Sequence, residues 1–293
     1  MTDRKMTILR LVIFLLLAFI PFWVILPNMN AHYGGPVYMS EEAAAAVYAL
    51  GTFGMLIPSA AHLLTRLLTK EGFQNTYLSI NIKGNAKWYL SSVWVMLLES
   101  MLVALLLWKL FAGHLTITEA LPTKSLKAVI AMVLLQIAFS LIIVFPAFGE
   151  EWGWRGYMMP KLMKLMPTSS AVVIGGILWG LWHAPLTIAG HNFGVDYWGY
   201  PWWGIVQMCL MCIAMNAFLT LLTEKTKSVY PASFAHMLNN NLGPSVLLLL
   251  AGSESLNTAL EQTESSTFMT VFLPIIIITG AISMVLLMKD SSK

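Results

Sequence analysis

The run Glu150-Glu151-Trp152-Gly153-Trp154-Arg155 places two adjacent carboxylates just ahead of a guanidinium, at the edge of a long apolar stretch. On a helix, Glu151 and Arg155 share a face and can pair. Glu150 is turned away by about 100° and is left for other work. Buried, such a carboxylate suits proton transfer near neutral pH; the plainer alternative is an interfacial charge cluster at a helix end. Two further stretches carry imidazoles. In LWGLWHAP (178–185), Trp179 and His183 share a helix face, and Pro185 predicts a bend just beyond the histidine. A lone buried histidine is more often a core residue bonded to its neighbours than a catalyst, and that reading also fits His183. In FAHMLNNN (234–241), His236 and Asn240 again stand four apart. Ring and amide can stabilise an oxyanion, or join two helices through ordinary hydrogen bonds. Gathered around one point, a carboxylate, two imidazoles and an amide can activate a water and stabilise a tetrahedral oxyanion, the two requirements of peptide hydrolysis.

The elements that must position these groups are membrane helices. Of 293 residues, 58% are hydrophobic and only 11% charged, with a mean hydropathy of +0.73; a soluble domain carries roughly 25% charged residues. The chain therefore reads as an all-α, multi-pass transmembrane bundle forming one domain over 1–293. Eight stretches suit a span: 8–27, 43–65, 88–111, 127–148, 169–189, 203–223, 230–251 and 267–288. With the N-terminus cytoplasmic, only Lys109, Lys124 and Lys127 of the 17 Lys and Arg fall on the outer side. That bias predicts both termini in the cytoplasm and fits a bacterial plasma membrane. The basic start and apolar run at the N-terminus look like a signal peptide, but the run is long and lacks a small-residue cleavage site, so it reads as a retained first span. The net charge of +3, with no basic run interleaved with aromatics, gives no footprint for nucleic acid. Cys209 and Cys212 read as small apolar core residues, and DYWGYPWW (196–203) as an interfacial aromatic belt.

In this topology Glu150 and His236 share the cytoplasmic side, but His183 lies 14 residues into its span, roughly 21 Å. The three groups meet if the fifth helix enters the bilayer later than residue 169, or if the Glu150 stretch dips inward.

At these residues the chain resembles the CAAX protease and bacteriocin-processing family of intramembrane proteases, also called Abi proteins, which includes type II CAAX prenyl endopeptidases. The family pattern is Glu-Glu-x-x-x-Arg, then aromatic-x-x-x-His, then His-x-x-x-Asn. Here these are Glu150, Glu151 and Arg155; Trp179 and His183; and His236 and Asn240, within a core of about 127–251. Phe is common in the family where this chain has Trp179. The resemblance implies that Glu150 and His183 activate the attacking water and that His236 and Asn240 form the oxyanion site. Glu151 and Arg155 would hold the motif in shape. It implies a membrane-associated or lipid-modified peptide as substrate. Glu150, His183 and His236 are also an acceptable set for catalytic Zn2+, although no His-Glu-x-x-His is present; a glutamate-activated water explains the same residues without metal. His62 and Glu99 match nothing in the pattern. His62 is expected to be a solvated interfacial residue and Glu99 to bond a neighbouring helix.

Two other function classes remain. A transporter would place charges at several depths and repeat its halves. An immunity or scaffold protein would keep the fold without cleaving.

Overall fold

Every regular element among the described residues is helical. The computed structural model describes residues 2–110, scattered positions between 127 and 138, 144–250 and 271–291; within 242–250 only the backbone is described. Helix α1 runs Asp3–His32, opened by Thr2, whose hydroxyl accepts from the Lys5 amide. Its buried face is Leu11, Phe14, Ala18, Phe22 and Leu26, while Ile8, Val12, Leu16 and Ile20 stand exposed. Both faces are apolar, so one packs on protein and the other suits lipid. A bent pair follows, α2 (Ala44–Gly54) and α3 (Ile57–Leu68), broken by 41°. Helix α4 (Ala86–Leu110) repeats the two-faced pattern: Ser92, Met96, Glu99 and Val103 inside, Leu90, Trp94, Leu98 and Met101 outside. Among the described residues, three helices are long and apolar enough to cross a membrane, or four if the bent pair counts as one. The fourth expected span, 127–148, lies largely outside the described residues.

Helix α5 (Val144–Gly153) does not stop where hydropathy falls. It passes through a π-helical turn, Trp154–Met158, into α6 (Met159–Leu165). Extended Met166 and Pro167 reverse the chain into α7 (Thr168–Trp182). The helix thus runs on past 148, where the apolar stretch ends, and carries Glu151 and Arg155 one turn apart on a single face. Fifteen residues separate Glu150 from Leu165, and fifteen separate Thr168 from His183. At about 1.5 Å each, both side chains lie about 22 Å from the turn that joins their helices. Glu150 and His183 therefore come to the same level of a helical hairpin, far from the turn that joins its arms, and α7 starts at Thr168. His183 ends α7, and the short α8 (Ala184–Ile188), with Pro185 in its first turn, continues from it.

Helix α9 (Trp202–Thr226) is the central one: 72% of its apolar stretch is buried, against 22% in α1 and in α4. It packs against α7 and against α11 (Leu273–Ser291). Close approach depends on glycine. A Cβ on Gly180 would stand 2.6 Å from Cys209 Cα, and one on Gly176 2.8 Å from the Ile213 amide nitrogen. Between membrane helices there is little hydrophobic drive, so such packing and interhelical hydrogen bonds carry the association. Asn216 supplies one, its amide donating to the Val172 carbonyl at 2.8 Å. Glu99 bonds Thr279 of α11, as expected of a helix-bridging side chain. Helix α10 (Tyr230–Leu250) packs against α4 and α5 and delivers His236.

Candidate active site

Glu150 and Glu151 are both buried, yet their partners differ in kind. Glu151 is the ion-paired one. Its Oε1 accepts from Arg155 Nη1 at 3.0 Å, the pair that i, i+4 spacing predicts, and from His236 Nδ1 at 2.7 Å. Glu150 is held by indoles: its Oε2 accepts from Trp179 Nε1 at 2.8 Å and from Trp154 Nε1 at 3.2 Å. Neither indole carries charge, so the hydrogen bonds fix the side chain without neutralising it.

Trp179 is the hub of the cluster. The Arg155 guanidinium lies 4.1 Å from its ring centroid, close enough for a cation–π contact. His236 meets the ring edge-on at 5.4 Å and His183 at 5.8 Å. One indole thus borders both imidazoles, the arginine and the Glu150 carboxylate. His183 Nδ1 lies 2.9 Å from the Trp179 carbonyl oxygen. A carbonyl only accepts, so Nδ1 carries the proton and Nε2 is a free base. His236 Nδ1 likewise donates to Glu151, leaving its Nε2 to face outward from that bond.

The structure brings Glu150, Glu151, Arg155, Trp179, His183 and His236 together. Asn240 stands apart: its side chain is exposed and its Oδ1 accepts from Asn239 Nδ2 at 3.3 Å, one turn beyond His236. Two functional contacts escaped sequence reasoning. Trp154 as a second donor to Glu150 follows from i, i+4 spacing and was legible in principle. The Glu151–His236 bond joins residues 85 apart and had no local signal. His62 requires a correction. It is not a solvated interfacial residue but fully buried, 0% exposed, with Nδ1 2.9 Å from the Trp152 carbonyl.

Among the described residues, no three His, Cys, Asp or Glu side chains converge as a metal ion requires. Glu150, His183 and His236 border the same indole but do not form the zinc set that their types allow.

Comparison with known proteins bears on this cluster directly. Residues 131–242 match the family described as type II CAAX prenyl endopeptidase Rce1-like, a stretch containing every motif residue named above. The CAAX prenyl protease 2 of Methanococcus maripaludis is 29% identical over 100 residues, covering 34% of this chain and 37% of that relative. The chain thus aligns with little more than a third of that relative's length. Through the stretch that carries the two glutamates, the arginine and both buried histidines, the chain is similar to the type II CAAX prenyl endopeptidases.

Proposed function

We propose that this chain is an intramembrane endopeptidase that cleaves a membrane-associated or lipid-modified peptide, in a cavity opening toward the cytoplasm. One observation carries the reading: of two adjacent buried glutamates, one is ion-paired and the other is held only by neutral indole donors among the described residues. A structural charge cluster would neutralise both. The arrangement instead keeps Glu150 basic and fixed, as a general base must be.

In this mechanism Glu150 takes a proton from a water whose other hydrogen is held by His183 Nε2. The water oxygen bonds to the peptide carbonyl carbon, and the carbonyl π electrons move to its oxygen. His236 donates to that oxyanion from Nε2. Because Nδ1 already donates to Glu151, His236 acts here as an imidazolium, and Glu151 balances its charge. Two carboxylates, Arg155 and that imidazolium then sum to zero, which a water-poor site favours. Collapse of the intermediate breaks the C–N bond, and Glu150 returns its proton to the leaving nitrogen. Asn240, one turn past His236, is the second oxyanion donor in this reading: its bond with Asn239 uses only Oδ1 and leaves the Nδ2 hydrogens to donate.

The test is cleavage of a prenylated C-terminal peptide and of its unprenylated form by the purified chain. Glu150→Gln should abolish turnover while leaving the thermal midpoint within a few degrees. Full cleavage by a folded Glu150→Gln variant ends the proposal. Solute flux in proteoliposomes that survives Glu150→Gln would favour a transporter.

A further inference from the structure

The paired glutamates sit on the helix that the π turn interrupts, and a π turn breaks the regular i, i+4 ladder. In the π turn itself the Met159 amide reaches back to the Trp154 carbonyl, five residues away. Carbonyls beside such a turn are open to donors from outside the helix. The Trp152 carbonyl, on the residue directly after Glu151, has one: His62 Nδ1 at 2.9 Å, from α3.

The geometry around His62 fixes its tautomer. Arg66 Nε–H points at His62 Nε2 at 2.6 Å. A guanidinium only donates, so Nε2 is the acceptor and the proton is on Nδ1, where it bonds the Trp152 carbonyl. Arg66 is itself immobilised, its Nη1 donating to the carbonyls of Gly72 and Gln74 at 2.6 and 3.2 Å. The imidazole also lies 4.5 Å from the ring centroids of both Trp152 and Tyr157. Close helix approach makes this reach possible. A Cβ on Gly153 would stand 2.5 Å from the Pro58 carbonyl carbon, and one on Gly149 2.8 Å from the Met55 carbonyl oxygen. Gly149 and Gly153 are one turn apart on α5, as are Pro58 and His62 on α3. The two helices touch backbone to backbone, and His62 is the polar end of that contact.

We propose that His62, locked as a neutral donor by Arg66, is a positioning residue for the reaction: it pins the Trp152 carbonyl and so sets the register of Glu150 and Glu151 against His183 and His236. The inference rests on the peptidase reading of the site. It does not make His62 a catalytic group, since its ring is spent between Arg66 and the backbone.

The test compares wild type, His62→Phe and His62→Gln as purified full chains, measuring kcat, KM, thermal midpoint and hydrogen exchange of the peptide spanning 152–159. Phe keeps the ring contacts but loses both hydrogen bonds. Gln can donate to Trp152 and accept from Arg66. Expected for His62→Phe is a fall in kcat of about tenfold or more with KM within about twofold, and faster exchange confined to 152–159. His62→Gln should recover most of kcat and of the protection. Wild-type kcat and exchange in His62→Phe would overturn the inference. So would a variant that merely melts, with exchange rising throughout α3 and Gln no better than Phe. If the wild-type chain cleaves no peptide, the peptidase reading falls and this inference with it; if wild type and His62→Phe cleave equally, only this inference falls.

Discussion

His236 Nδ1 lies 2.7 Å from Glu151 Oε1, and the same oxygen accepts from Arg155 Nη1 at 3.0 Å. One carboxylate oxygen therefore serves two roles, holding the helix together and orienting a ring from another helix. Replacing it separates them. Glu151→Gln leaves Arg155 buried with its main counter-charge gone, and Arg155 Nε and Nη2 have no other hydrogen-bond partner among the described residues. Breaking a buried pair from one side costs about 3–5 kcal/mol, so the thermal midpoint should drop clearly. His236→Gln leaves the Glu151–Arg155 pair whole and should lower kcat with a far smaller change in midpoint. Equal midpoints for the two variants would show that Glu151 does not stabilise the helix.

Trp179 offers Glu150 an N–H and offers Arg155 a ring face. Trp179→Phe removes the first and keeps the second. Stability should change by only about 1 kcal/mol, while kcat falls because Oε2 retains only the longer bond from Trp154. Trp154→Phe should cost less than Trp179→Phe. The double variant should cost more than the product of the two, because each indole alone still restrains the carboxylate. A double variant with unchanged kcat would mean that Glu150 needs no such restraint.

What the sequence made legible here is local. The Glu151–Arg155 pair follows from i, i+4 spacing, and the break after His183 from Pro185. The position of Glu150 was harder. Hydropathy falls at Glu150 and Glu151, so a span drawn from hydropathy ends at 148, yet the helix runs on to Leu165, with Glu151 and Arg155 paired to each other on its buried face. His62 was misread for a related reason. Thr65, Arg66 and Thr69 make that end of α3 look solvated, and the partner of His62 is a backbone carbonyl 90 residues away, which no side-chain pattern announces. The two-faced apolar helices declare a membrane protein, but not which of their faces meets which neighbour.

Glycine tests the packing that brings α3 to the site. Gly153→Ala would drive a methyl into the Pro58 backbone, which cannot yield as a flexible side chain could. Overpacking of this kind costs about 1–3 kcal/mol, and by moving α3 it should also reduce kcat. Gly51, in α2, meets nothing within 4 Å. There alanine should stabilise by about 0.5–1 kcal/mol and leave kcat alone. Opposite shifts in thermal midpoint are the expected result; a neutral Gly153→Ala would show that α3 and α5 can part without loss.

Glu71, in the loop after α3, gives the fold a pH dependence of calculable sign. Its carboxylate bonds Lys161 Nζ at 2.7 Å and the Tyr157 hydroxyl at 2.8 Å, with Arg10 Nε at 3.6 Å, so it ties α1, the loop and the π turn and α6 together. Burial raises its pKa, but the hydrogen bonds from Lys161 and Tyr157 outweigh that, and the carboxyl is held below its ordinary range. A group with a lowered folded pKa contributes stability that is fully present above its unfolded value and is lost as pH falls through the folded one. The gap in thermal midpoint between wild type and Glu71→Gln should therefore be largest near neutral pH and shrink as acid protonates Glu71. Lys161→Met, which removes one donor, should raise the pH at which the remaining contribution is lost. A gap that stayed constant from neutral pH down through the carboxylate range would mean that the Glu71 bonds hold nothing the neutral amide does not.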